Sequence, residues 1–251
     1  MHQLLQSHSN LCRIAAAQDD FDNEISSIRE YINEAHRQGD TEAEGQARTM
    51  QMMCYYNYYL PDSLKSALPK NLEFMGKHEQ WDHYYSSWNT LVELYIYQDK
   101  MQIALVEADK MYVHAKENKS NYGIGVSAYC MGGIYQTMQR FSEAKKSLEE
   151  SVQTLSKEED ISLLLSAYNA LGETLDGLGH YQELRVITLE WKAVLDNYKR
   201  EALEKGYTPL LNGRYLYCTL AATVAEIETN NYDKAAKLLA QALLFLQTKA
   251  R

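Results

Sequence analysis

Proline is nearly missing from this chain, three in 251 residues, and glycine is sparse at twelve. That is too little punctuation for a sheet protein, whose hairpins need turn residues every few positions, and it suits a chain that is mostly helix. Phenylalanine is equally scarce, four against twenty tyrosines. Tyrosine favours half-buried positions, where the ring packs and the hydroxyl reaches water, so the ratio predicts a thin fold with little deep interior. Cysteine occurs four times (Cys12, Cys54, Cys130, Cys218), far apart and without a CxxC pair. That spacing carries no zinc signature and no disulfide framework. All four fall in helical pattern and read as small buried hydrophobes.

No apolar run approaches the roughly 18–20 residues that a membrane helix needs. The N-terminal MHQLLQSHSN lacks the charged and hydrophobic regions of a signal peptide. Basic side chains are in deficit, 25 against 34 acidic ones, for a net charge of −9. No Lys/Arg-rich run offsets that balance, so neither nucleic acid nor an anionic membrane surface is an expected partner of this domain. The KREALEK stretch (199–205) alternates sign, as a solvated helix face does.

Catalytic signatures are missing too: no GxSxG, no HExxH, no phosphate-cradling loop, no dinucleotide fingerprint. His78 and His83, five apart, diverge around a helix and make poor co-ligands. The MQMMC cluster (50–54) reads as core. The expectation is a non-enzymatic chain with no cofactor and no metal.

What the chain does have is a period. The segment MGGIYQTMQRFSEAKKSLEES (131–151) reads as two helices joined by a short polar turn. Met131, Gly132 and Tyr135 share a face of the first; Phe141, Ala144, Leu148 and Ser151 share a face of the second. Gly132 and Ala144 are the small residues expected at their crossing, and Gly133 is assigned to the same close packing. Phe141 sets a phase. Equal steps of about 40 residues, within the range of known repeat lengths, reach Met101, Pro61 and Phe21 in one direction and Tyr181 in the other. Each of these opens a second helix after a polar turn. The next such position, Tyr232, comes 51 residues after Tyr181, so about eleven residues are inserted. WKAVLDNYKREALEKG (191–206) reads as a helical extension, with Thr208-Pro209 opening the following helix. Six units result, about 3–38, 41–77, 79–119, 121–159, 162–206 and 210–248. Pro69 is expected to kink its helix or loosen its second half. Leu11 and Ala15 are placed on the first helix of unit one, and Glu24 with Phe21, Ile25, Ile28 and Tyr31 on its second. Leu216, Ala222, Tyr232, Ala235, Leu239 and Ala242 are the expected core of unit six.

This order of large, small, aromatic, turn, aromatic, small, large resembles the tetratricopeptide repeat, strongly in units three to five, with a period longer than the family's usual 34. The resemblance implies an all-α, right-handed α-α superhelix of about six helix pairs in one domain over 1–251. It also implies a concave face lined by first-helix residues: Met53, Tyr56 and Asn57; Asn89, Glu93, Ile96 and Tyr97; Tyr129, Gly133, Gln136 and Thr137; Asn169, Glu173 and Asp176. Asn89 and Asn169 share a register, as do Glu93 and Glu173. An asparagine amide bonds a peptide backbone as donor and acceptor, and tyrosines supply contact area at low entropy cost. Family members that clamp a terminal carboxylate do so with lysines and arginines, which these positions lack. The implied partner is therefore a neutral or cationic protein or peptide.

In style the array resembles the sensory repeat domains of two-component histidine kinases and transcriptional regulators in the Bacteroides group. That would make it periplasmic if it is an excised sensor domain, and otherwise cytoplasmic. The alternative is a self-contained cytoplasmic regulator that responds to a peptide, or an assembly adaptor. AKLLAQALLFLQTKAR (236–251) is apolar around more than one face, which predicts a dimer contact or a downstream domain through 239–248.

Overall fold

The computed structural model describes residues 2–158 and 160–247. The expected unit ends at 159 and 248 lie outside the described residues. Twelve helices occur among those described, and no strand: α1 (His2–Ala17), α2 (Phe21–Gln38), α3 (Thr41–Asn57), α4 (Pro61–Lys77), α5 (Trp81–Tyr97), α6 (Met101–Glu117), α7 (Asn121–Thr137), α8 (Phe141–Leu155), α9 (Ile161–Gly177), α10 (Tyr181–Glu204), α11 (Asn212–Glu228) and α12 (Tyr232–Gln247). Every second helix opens at a phase residue read from the sequence: Phe21, Pro61, Met101, Phe141, Tyr181 and Tyr232.

A regular chain break makes this regularity possible. Asp19, Gly39, Tyr59, Glu79, Asp99, Lys119, Gln139 and Gly179 all take the left-handed conformation, with φ between 51° and 70°. They recur at one constant spacing or at twice that spacing, so each helix and its turn occupy half a repeat. The hydrogen bonding is that of a Schellman motif: Leu60 N–H reaches the Tyr55 carbonyl at 2.8 Å and Tyr59 N–H the Tyr56 carbonyl at 3.0 Å. The following residue often caps the next helix. Asp20, Asp40 and Asp160 each accept from a backbone N–H three residues on, at 3.0–3.2 Å, and Ser120 accepts likewise from Gly123.

Burial follows the same count. In the second helices the positions Glu24, Leu64, Ala104, Ala144 and Leu184 are buried, and so are Ile28, Leu68, Ala108, Leu148 and Thr188. Tyr31, Asn71, Met111, Ser151 and Trp191 make a third set, and Ala35, Met75, Ala115, Leu155 and Leu195 a fourth. Spacings of four, three and four residues put these sets on one helical stripe. In the first helices Ala47, Ser87, Ser127 and Ala167 are small and fully buried, so neighbouring backbones approach closely.

The chain divides into two compact units, Met1–Cys130 and Met131–Arg251, and α7 runs through the division. Within the first, each helix from α1 to α6 packs on the next, and α1, α3 and α5 also pack side by side as a layer of first helices. Its core includes Ile28, Met52, Cys54, Leu64 and Leu94. Within the second, α8 through α12 pack in sequence and α9 also packs on α11. The added length shows in α10, 24 residues where most of the other helices have 17.

Several local expectations need correcting. Pro69 does not loosen the second half of α4, which is continuous to Lys77 and keeps Asn71 and Met75 buried. The ring lies on the exposed side, and the Lys65 carbonyl that loses its donor belongs to an exposed residue. Pro209 does not open a helix: residues 207–211 connect, and α11 starts at Asn212. Gly132 is tightly packed, but Gly133 has nothing within 4 Å of where its Cβ would be. Tyr232 and Leu239 are exposed rather than core, and Leu11 on α1 is exposed as well. In the last pair Ala235 and Ala242 are buried as expected, together with Tyr215, Cys218 and Ala225. Glu24 is buried on α2, and that burial raises its pKa, with the nearby Cys54 and Tyr58 side chains opposing the rise.

Candidate functional site

The anticipated ligand-facing residues fall in both units. In the first, Tyr56 is half-buried and Asn57 exposed near the end of α3. Asn89 and Glu93 are half-buried on α5, and Tyr97, at the end of that helix, is 68% exposed. Tyr129 is half-buried on α7. Asn89, Glu93 and Tyr97 lie on α5, which packs against α3, the helix of Tyr56 and Asn57. The Asn89 amide nitrogen donates to Glu93 Oε1 at 2.8 Å, and the Cys130 thiol donates to Asn89 Oδ1 at 2.7 Å. The Tyr97 ring lies 4.9 Å from the ring of Tyr59. Burial raises the pKa of the Tyr56 hydroxyl, and the nearby Glu93 and Tyr97 raise it further. Glu93 is itself raised above the ordinary carboxylate range by burial, against the lowering effect of its bond from Asn89.

In the second unit the same register carries Asn169 and Glu173 on α9, again joined at 2.8 Å from Nδ2 to Oε1. Here the carboxylate is exposed, as is Asp176 one turn on. Gln136 is placed differently from its expected role. Its amide nitrogen donates to the Ala170 carbonyl at 2.9 Å and to Thr174 Oγ1 at 2.8 Å, tying α7 to α9. That is a packing contact. The asparagine–glutamate pair, repeated two periods apart, is therefore the feature shared by the two units.

Other polar constructions escaped the sequence reading. His114 on α6 sits among Trp81, Tyr84, Tyr85 and Trp88 of α5, with ring centroids 4.9–6.0 Å away and Tyr84 stacked nearly parallel. The Tyr85 hydroxyl lies 3.0 Å from its Nδ1. Burial lowers the pKa of this histidine, with Glu117 opposing. The aromatic run on α5 was visible in the sequence; the histidine on the following helix was not linked to it.

In the second unit, Glu226 of α11 is buried and accepts from Arg185 Nε at 3.1 Å and Lys234 Nζ at 2.5 Å through one oxygen, its other oxygen being unpaired. It lines a cavity of about 260 Å³ with Val186, Leu189, Ala222 and Leu238. Arg185 and Glu226 are 41 residues apart in sequence, so only the fold brings them together.

Among the described residues no group of three or more His, Cys, Asp and Glu is placed to hold a metal ion, and no helix is long and apolar enough to cross a membrane. All four cysteines are free and buried.

The sequence matches no protein-family model and no curated protein. Solved structures do resemble it. BtubC (BKLC) from P. vanneervenii superposes with a TM-score of 0.70 at 14% identity, covering 92% of both chains. RapI in its apo form gives 0.57 at 12% identity over 97% of this chain and 99% of that one. A signal-transduction ATPase with a tetratricopeptide-repeat sensor, from Pyrococcus horikoshii, gives 0.64 at 16% identity, covering all of this chain and 37% of the other. At such identities the likeness speaks for the fold alone, and it is consistent with the helix pairing described above: the chain has an all-α solenoid fold of the tetratricopeptide-repeat type.

Proposed function

We propose that the chain is a non-enzymatic scaffold that binds a protein or peptide, serving as the sensor or interaction part of a bacterial signalling protein, a histidine kinase or a transcriptional regulator. The observation that carries this reading is the repeated asparagine–glutamate pair. Asn89–Glu93 and Asn169–Glu173 present the same amide and carboxylate from the same helical position in each unit. A helical face that only needed to be wet has no reason to repeat such a pair. Tyr56 and Tyr97 lie near the first pair, with Asn57 and Tyr129 on the first helices before and after it, and Asp176 follows the second. Both faces are acidic and amide-bearing, and the first adds tyrosines, a character suited to a neutral or cationic segment. The Pyrococcus relative, described as carrying a repeat sensor within a signalling ATPase, supports the sensory role by analogy. The outer leucines of α12 (Leu239, Leu243, Leu244 and Leu246) are exposed, and on this reading they contact another subunit or a neighbouring domain.

A peptide library selected against the protein tests the reading. Selected ligands should share a neutral or basic sequence and shift NMR signals of Asn89 and Asn169. Uniformly acidic ligands, or shifts confined to other helices, would refute it.

A further inference from the structure

Two of the carboxylates buried in this protein come with cations, while Glu24, enclosed between helices, has none among the described residues. Glu44 on α3 meets Arg48 and His36, and Glu226 on α11 meets Arg185 and Lys234. Glu93 on α5 does not: among the described residues no lysine, arginine or histidine pairs with it, and the hydrogen bond it accepts comes from the neutral amide of Asn89. A half-buried carboxylate served by a neutral donor alone is under-satisfied. Its raised pKa states the same thing from the side of proton binding.

The local hydrogen bonding holds that carboxylate in one orientation. Cys130 is buried, and burial together with Glu93 keeps it a thiol, able to donate. Its neighbour Asn89 must therefore turn its oxygen to the sulfur and its nitrogen to Glu93, which leaves no freedom for the amide to flip. Near it are Tyr56, whose hydroxyl feels the charge of Glu93, and Tyr97, one turn further along α5, which is largely exposed and tilted against the Tyr59 ring. A fixed carboxylate beside tyrosine rings, with no metal-type cluster around it, matches one chemical group above others: a monovalent organic cation, which gains a charge-assisted hydrogen bond and ring-face contact together.

We propose that Glu93, framed by Tyr56 and Tyr97 and held by the Cys130–Asn89 relay, is a subsite for the ammonium or guanidinium group of a lysine or arginine side chain. Within the proposed function, this names the side chain that the first unit reads. Glu93 makes the contact; Asn89 and Cys130 are positioning residues. Glu173 shares the asparagine but is exposed, so the second unit's pair is a weaker, solvated version.

The test uses the full chain and small probes, independent of any peptide partner. n-Butylammonium and n-butylguanidinium are titrated to tens of millimolar, with n-pentanol and valerate as neutral and anionic matches, and tyrosine ring NMR signals are followed. Saturable shifts at Tyr56 and Tyr97 are expected for the two cations only. Glu93→Gln should weaken them at least tenfold. Cys130→Ala should weaken them several-fold, with Cys130→Ser restoring most of the loss. Equal shifts from pentanol, no saturable shift from either cation, or unchanged cation binding in Glu93→Gln would overturn the subsite. A peptide library that selects neutral ligands shifting Asn89 would preserve the scaffold reading while rejecting the subsite.

Discussion

Gly132 of α7 and Leu148 of α8 share a space that has room for only one side chain: a Cβ on the glycine would overlap the leucine's branched carbon. The next residue, Gly133, has nothing within 4 Å of its own Cβ position. Two adjacent glycines in one helix thus have opposite reasons to be there. Gly132→Ala should destabilise by about 1–3 kcal/mol through overpacking, despite alanine's better helix propensity. Gly133→Ala should stabilise by about 0.5–1 kcal/mol, because only the propensity term remains. Urea denaturation of the two variants measures both signs. Equal effects would mean that the α7–α8 packing is misassigned.

The turns predict a second pair of opposite outcomes. Gln139 is exposed and holds φ at 58°, a conformation that Gly179 adopts at the equivalent place at 70°. An L-residue in this region bears roughly 1–2 kcal/mol of strain, and glycine gives back part of that in unfolded-state entropy. Gln139→Gly should therefore raise stability by about 0.5–1 kcal/mol and Gly179→Ala should lower it by about 1 kcal/mol. Thermal melts of the two variants against the parent read the difference.

His114 gives the fold a pH dependence of known sign. Its pKa is depressed in the folded state, chiefly by burial among Trp81, Tyr84, Tyr85 and Trp88 of α5, while Glu117 on its own helix pulls the other way and Asn118 contributes only a neutral amide. The unfolded chain therefore takes up this proton first as pH falls. The stability that His114 contributes is complete above its unfolded pKa of about 6.5 and is lost as pH drops through that value toward the folded pKa. Unfolding free energies at a series of pH values should fall less steeply below pH 7 in His114→Gln than in the parent. Parallel curves would contradict the assignment.

The period of the fold was legible because each phase residue is large and follows a polar turn: Phe21, Pro61, Met101, Phe141, Tyr181 and Tyr232 open their helices as the sequence indicates. Gly132 was legible for the same reason, since only close packing explains a glycine at that register. Gly133 was not, because a glycine's purpose depends on what faces it. Pro69 misleads from sequence because the cost of a helical proline depends on whether the orphaned carbonyl sees water, which only the exposed side of α4 reveals. Gln136 looked free by register, yet Thr174 and the Ala170 carbonyl capture it from the neighbouring helix. Contacts that depend on two helices meeting, such as Cys130 with Asn89 or Arg185 with Glu226, leave no trace in either stretch alone.

The central claim is that the asparagine–glutamate faces exist for a ligand, and the double variant Asn89→Ala/Asn169→Ala tests it most directly. Calorimetry with a library-selected peptide should show at least about a tenfold loss of affinity, equivalent to about 1.4 kcal/mol, while the Tm falls by no more than a few degrees. Unchanged affinity in a folded double variant would contradict the claim and leave these residues as ordinary solvated helix surface.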